Sequence, residues 1–297
     1  MYSVSRRAAW RIVWQPRLGL LPLRSFKKTV LGPGEDEILE CNLDGKSGGG
    51  IMGMAVDYLT RFLTGTPAET AFKISLAGAR KLEENPYFKK EKPVKTAKKL
   101  LRKVKRLDDE TIVAACKLAG FDAAFRAGVD YYKPVSNIYP DKAAIHNIHT
   151  MVSRTLDFLQ LYGPITVSGP TFPGGYSVVV SSGDGDFLTK DTIWDLKNTK
   201  NWILKKDTLQ ILMYYLMGKR SKVEEFQTVE KLGIFNPRKN IAYQIAAKDI
   251  DPKVIEYVEK VIIGYGITEE ELYVDLKGYK VSEKDYNDFF DIAPRQS

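Results

Sequence analysis

Apolar positions recur at helical spacing through the first half of the chain, and after residue 163 the texture changes to that of strands. The spacing predicts helices over 51–64 and 67–84, the second opened by Pro67 and stopped by Pro86. A third helix over 94–106 carries Val94, Ala97, Leu101 and Val104 on one narrow stripe, with Lys and Arg around the rest. A more apolar helix follows over 109–127. The longest, 141–162, repeats Ile145, Ile148, Val152, Leu156 and Leu159 and ends at Gly163-Pro164. Beyond it, 176–182 and 192–196 read as strands, 205–218 as an amphipathic helix, 231–236 and 241–246 as strands about an Asn236-Pro237-Arg238 turn, and 252–263 as a helix. Two short strands at 25–32 and 37–43 flank the Gly-Pro-Gly turn at 32–34. The predicted architecture is of the α+β class. It has an N-terminal arm (1–34), a mainly helical region (35–139), a mixed α/β core (140–265) and an acidic tail (266–297).

The charge pattern sharpens this division. The 297-residue chain carries 45 Lys and Arg against 37 Asp and Glu, a formal charge of +8. Residues 1–34 hold seven basic residues and no acid, and residues 89–106 hold ten and one, so the remainder carries a net charge of −8. Two cationic blocks are therefore attached to a mildly acidic chain, and such blocks most often meet the phosphates of nucleic acid. Within the second block, Lys98, Lys99, Arg102 and Lys103 are the candidate phosphate contacts. An anionic membrane surface is a weaker candidate for the same charge.

No stretch approaches the ~18 consecutive apolar residues of a membrane span, so no membrane partner is expected. A cytoplasmic location is the expectation. The arginines at 6, 7, 11, 17 and 24 imitate a mitochondrial presequence and keep import as a minor alternative. Two cysteines, Cys41 and Cys116, and two histidines cannot build a disulfide scaffold, a four-cysteine site or a histidine cage. Cys116 reads as a buried, unreactive thiol. Any metal must be held mainly by carboxylates, which favours Mg²⁺ or Mn²⁺. The GKS at 45–47 is not a phosphate-binding loop, because position 40, where that motif needs Gly, is Glu.

Chemistry concentrates in residues 183–197, GDGDFLTKDTIWDLK. Asp186 ends a Gly-bounded turn, and Asp195 and Lys197, two apart on a strand, share a face. A hairpin through 187–194 would set both carboxylates beside one ammonium. With the carbonyl of Leu196, Asp186 and Asp195 could hold one or two hard cations that activate a water for phosphodiester hydrolysis, and Lys197 could orient that water or stabilise the transition state. In the following helix, Gln210 and Tyr214 fall on one face at i, i+4. Upstream, His149 falls on the stripe of Ile145, Val152 and Leu156 and is expected to point inward. His146 lies on a more polar face.

A helix with His, a strand ending GxGD, a strand ending DxK and a helix with QxxxY, in that order, resembles the PD-(D/E)XK nuclease superfamily. More narrowly, it is similar to the RecB-like branch that includes four-cysteine CRISPR-associated exonucleases and many phage and mobile-element nucleases. The resemblance covers about 140–265 and implies a restriction-endonuclease-like mixed sheet flanked by helices. It also implies Asp186 and Asp195 as metal ligands, Lys197 as catalytic lysine, Gln210 and Tyr214 as the QxxxY pair, and His149 as the helix histidine with His146 in reserve. The cluster cysteines of that branch are absent, so no iron–sulfur cluster is expected. Asp184 leaves the register of the motif open by two residues, and Asp57 could supply an extra acid or merely cap the polar face of its helix. The implied function is Mg²⁺-dependent cleavage of DNA, with RNA not excluded, in a phage, mobile-element, defence or repair context. The alternative is a catalytically silent nuclease fold acting as a nucleic-acid-binding or assembly subunit.

Overall fold

The structure is a computed structural model and describes residues 2–3, 19–32, 43 and 48–268. The predicted strand at 37–43, most of the basic arm and nearly all of the acidic tail lie outside the described residues. Eight strands are described: β1 (Tyr2–Ser3), β2 (Lys27–Val30), β3 (Val167–Ser168), β4 (Val180–Ser182), β5 (Phe187–Leu188), β6 (Thr192–Leu196), β7 (Lys231–Asn236) and β8 (Ile241–Ala246). The α-helices are α1 (Gly48–Leu63), α2 (Ala68–Ala71), α3 (Lys73–Glu84), α4 (Pro93–Leu101), α5 (Asp109–Ala119), α6 (Asp122–Arg126), α7 (Lys142–Tyr162), α8 (Lys205–Arg220) and α9 (Pro252–Tyr257), the last continued by a π-turn over Val258–Ile263. Among the described residues no helix is long and apolar enough to cross a membrane.

A six-stranded mixed sheet, in the order β2-β8-β7-β6-β5-β3, organises the C-terminal half. Its one parallel pair is β6 with β7, and α8 joins these two strands and packs against both. Alternation along the strands builds two cores. Leu188, Ile193, Ile234 and Tyr243 face α8, while Phe187, Trp194, Phe235 and Ala242 face the C-terminal part of α7. Trp194 is fully buried under Phe158, their ring centroids 4.7 Å apart. Across the parallel pair its partner is Gly233, where a Cβ would lie 2.2 Å from the indole, so only glycine fits.

The sheet reaches outside the predicted 140–265 core. Residues 27–30 pair antiparallel with β8 and form its edge, which corrects the reading of 1–34 as an arm apart from the core. Lys27 and Lys28 keep that edge charged and exposed.

The N-terminal helices bury a second core around Met52, Leu59, Phe72, Leu82 and Ile112. The 21-residue α7, about 30 Å long, inserts Ile148 and Met151 into this core and Phe158 under the sheet, so it joins the two halves. Three predicted helices are broken, each for a different local reason. The 67–84 helix breaks at Phe72, fully buried edge-on against Tyr58. The 94–106 helix stops at Leu101, because Thr111 donates to the Lys103 carbonyl at 2.9 Å and Asp108 caps the next helix by accepting from the Thr111 N–H at 2.9 Å. The 109–127 helix breaks at Gly120-Phe121, where a Cβ on Gly120 would meet Ile138 at 2.4 Å. The strand predicted over 176–182 shrinks to β4, since the Ser177 hydroxyl accepts from the N–H groups of Val179 and Val180.

Candidate active site

The carboxylates are placed by strand register. β5 pairs antiparallel with β6, Phe187 opposite Trp194 and Leu188 opposite Ile193. Extending that register by one residue sets Asp186 opposite Asp195, on the face that looks toward α8. The carboxylate of Asp186 accepts from the Leu196 N–H at 2.5 Å. Asp184, the other reading of the motif, is exposed. Beyond β6 the Lys197 N–H still donates to the Phe235 carbonyl at 2.9 Å, which holds the lysine in strand geometry and on the side of Asp195.

From there a chain of polar contacts runs along α8. Lys197 Nζ lies 2.8 Å from an Asp195 carboxylate oxygen and donates to Gln210 Oε1 at 2.8 Å. Gln210 Nε2 donates to the Tyr214 hydroxyl at 2.8 Å. Asp207 stands 3.9 Å from Lys197 and also accepts from the Leu204 N–H at 2.8 Å, closing the first turn of the helix. Five residues singled out from sequence, Asp186, Asp195, Lys197, Gln210 and Tyr214, thus meet in one place.

The N-terminal half supplies the opposite wall. Asp57 on α1 accepts from Arg61 Nε at 2.8 Å, and Arg61 Nη2 lies 3.7 Å from Asp186. A cavity of about 320 Å³ opens between α1 and the end of β6, lined by Gly50, Gly53, Asp57, Asp186, Leu196 and Asn198 among others. Arg61 was not found from sequence. A charged pair at i, i+4 on a helix otherwise burying Met52, Val56 and Leu59 was the available signal.

Histidine is the correction. His149 and His146 are both exposed and outside this cluster of contacts. The buried stripe of α7 runs through Ala144, Ile148, Met151, Thr155 and Phe158. Residue 149 is rotated about 100° from Ile148 and about 200° from Met151. The expectation follows Ile145, Val152 and Leu156, of which Val152 is buried but Ile145 and Leu156 are only half-buried.

Burial governs the electrostatics. It raises the Asp186 carboxyl to about 6, the nearby Asp57 charge adding to the effect and Arg61 opposing it. It raises Asp195 to about 7 against the pull of Lys197, and it raises Asp57 as well. For Lys197 burial acts downward, but Asp195 and Asp207 overcome it and hold the ammonium above its ordinary range. Burial also pushes the Tyr214 phenol well up, so it stays protonated. Four carboxylates, Asp57, Asp186, Asp195 and Asp207, therefore surround two cations, Arg61 and Lys197, in a poorly hydrated cleft, an arrangement that favours a further positive charge.

Among the described residues no three acid, histidine or cysteine side chains form a ready-made metal cage. The available donors are carboxylate and backbone oxygens, which fit a hard divalent ion completed by water or by substrate. Compared with protein families, with curated proteins and with solved structures, the chain matches none.

The basic helix α4 lies in the other half of the protein. Its Ala97 and Leu101 are buried, while Lys98, Lys99 and Arg102 are exposed. Lys103, just past its end, lies 2.9 Å from Glu110.

Proposed function

We propose that the protein is a Mg²⁺- or Mn²⁺-dependent nuclease on the PD-(D/E)XK plan, hydrolysing phosphodiester bonds in DNA. The observation that carries the reading is the register that sets Asp186 opposite Asp195, together with the run of contacts from Asp195 through Lys197 and Gln210 to Tyr214. Asp186 and Asp195 with the Leu196 carbonyl would hold the cation, and Asp57 faces them across the cleft. The cation, when bound, supplies Lewis acidity toward the phosphoryl oxygen and lowers the pKa of water.

The protein's own residues do the rest. Lys197 carries a positive charge held beside Asp195, which would neutralise charge growing on the phosphate and orient the attacking water. Gln210 Oε1 fixes the ammonium, and Tyr214 fixes the amide of Gln210. The exposed lysines of α4 would grip the backbone of the nucleic acid. Neutralising Lys98, Lys99, Arg102 and Lys103 together is expected to reduce the salt slope of DNA binding by about 3. An unchanged slope would remove that helix from the interface.

A catalytically silent fold is the second reading, and Arg61 is the observation that favours it. Its guanidinium already places positive charge between Asp57 and Asp186. Mn²⁺ titration separates the two readings. The nuclease reading expects binding by the wild type that D186N and D195N weaken at least about tenfold, and absence of binding favours the silent fold.

A further inference from the structure

Trp202 is 73% exposed, whereas large aromatic side chains usually bury most of their surface or pair their rings. It lies five residues beyond Lys197, so its Cα is within about 17 Å of the lysine's even at full extension. The segment that carries it is anchored. Asn236 Nδ2 donates to the Thr199 carbonyl at 2.7 Å, and the Asn201 N–H donates to Thr199 Oγ1 at 3.1 Å. The first of these bonds ties the segment to the end of β7, and Lys239 of the β7–β8 turn places its ammonium 5.0 Å from the Trp202 ring centroid.

The surroundings are cationic. Between Asn198 and Lys206 the chain has three lysines and no acid, and the next acid, Asp207, is buried and turned toward Leu204 and Lys197. Asn198 lies between Lys197 and Trp202 in sequence. Both of its amide atoms are buried with no hydrogen-bond partner among the described residues, and it lines the same cavity as Asp57 and Asp186. An amide left this way offers a donor and an acceptor to something that enters the cavity.

We infer that Trp202 is a stacking platform for an unpaired base, so that the site takes single-stranded DNA or the frayed end of a duplex. A flat aromatic face among lysines suits a single strand, because each base can stack while its phosphate meets an ammonium. Within a duplex the base faces are already stacked on one another and are closed to such a ring. Lys239 covers part of the indole, and the exposed remainder is open to the base. Asn198 then contacts the nucleotide lying between the platform and the carboxylates.

The inference rests on the nuclease reading for the direction of the strand, and its test measures binding without cleavage. Full-length protein in EDTA is titrated with an oligothymidylate and with its duplex. W202A is expected to bind the single strand about tenfold more weakly, W202F to retain most of the affinity, and duplex binding to change less than twofold. Oligothymidylate is also expected to quench the tryptophan fluorescence of the wild type, a change that W202F loses. Because the side chain is exposed, the melting temperature of W202A should equal that of the wild type. Single-strand binding by W202A within twofold of the wild type overturns the platform, as does absence of single-strand binding by the wild type. Trp202-dependent binding by a protein that never cleaves DNA in Mg²⁺ would leave the platform standing and remove the nuclease reading.

Discussion

Replacing Lys197 by alanine is expected to lower Mg²⁺-dependent cleavage by about 10³-fold or more, with DNA affinity in EDTA nearly unchanged. The ammonium stands 2.8 Å from Asp195 and 2.8 Å from Gln210, so it is fixed before substrate arrives and needs no reorganisation during the reaction. Its loss removes the cation beside Asp195 and Asp207, while Arg61 contacts only Asp57 and Asp186. D195N is expected to cost as much, because it removes a donor oxygen as well as the partner of the lysine. Q210A should cost only about tenfold, since Gln210 acts by orienting Lys197 and touches no reacting atom. A single-turnover assay measures all three. Equal losses in Q210A and K197A would contradict the division of roles.

The metal-free protein is expected to lose stability as pH rises from about 4 to about 8. Asp186 and Asp195 are raised to about 6 and about 7 in the folded state, above the 3.8 of an ordinary Asp. The folded protein therefore keeps protons that the unfolded chain has released. The stabilisation is fully present below pH ~3.8 and is lost as pH passes through 6 to 7. Asp57, raised by the same burial, acts in the same direction.

In EDTA the melting temperature at pH 8 should be about 4 °C or more below that at pH 5.5. D195N should recover a large part of the difference, since an amide carries no charge to desolvate. Mg²⁺ should stabilise the wild type more at pH 8 than at pH 6, because it competes with protons for the same oxygens. Thermal melts in EDTA and in Mg²⁺ read both effects. Melting temperatures that do not depend on pH, in wild type and D195N alike, would show that burial does not perturb these carboxylates.

Strands β6, β7 and β8 were the most legible part of the fold. Thr192–Leu196, Lys231–Asn236 and Ile241–Ala246 have the bounds that the sequence predicts, because each is a β-branched or aromatic run closed by turn residues. The helical half was less legible. A continuous apolar stripe does not announce that Asp108 will cap a new helix or that Phe72 will break one. The phase of α7 was missed for a related reason. That helix serves two cores in succession, so its buried face is wider than any one stripe, and His149 fell outside it.

The candidate site divides along the same line. Asp186, Asp195, Lys197, Gln210 and Tyr214 lie within 29 residues of sequence and are joined by strand pairing and one helix. Asp57 and Arg61 come from more than a hundred residues earlier. Their place opposite Asp186 depends on how α1 packs against the rest, which local pattern does not encode. The edge strand at 27–30 is a long-range pairing of the same kind.

Metal-dependent hydrolysis is proposed at the Asp186, Asp195 and Lys197 site. Its most direct test incubates purified protein with Mg²⁺ and end-labelled linear or circular DNA, single- and double-stranded, beside K197A and an EDTA control. The wild type is expected to cleave linear single-stranded DNA, with no cleavage in EDTA or by K197A. Cleavage by K197A at the wild-type rate, or no cleavage of any of these substrates in Mg²⁺ or Mn²⁺, would contradict it.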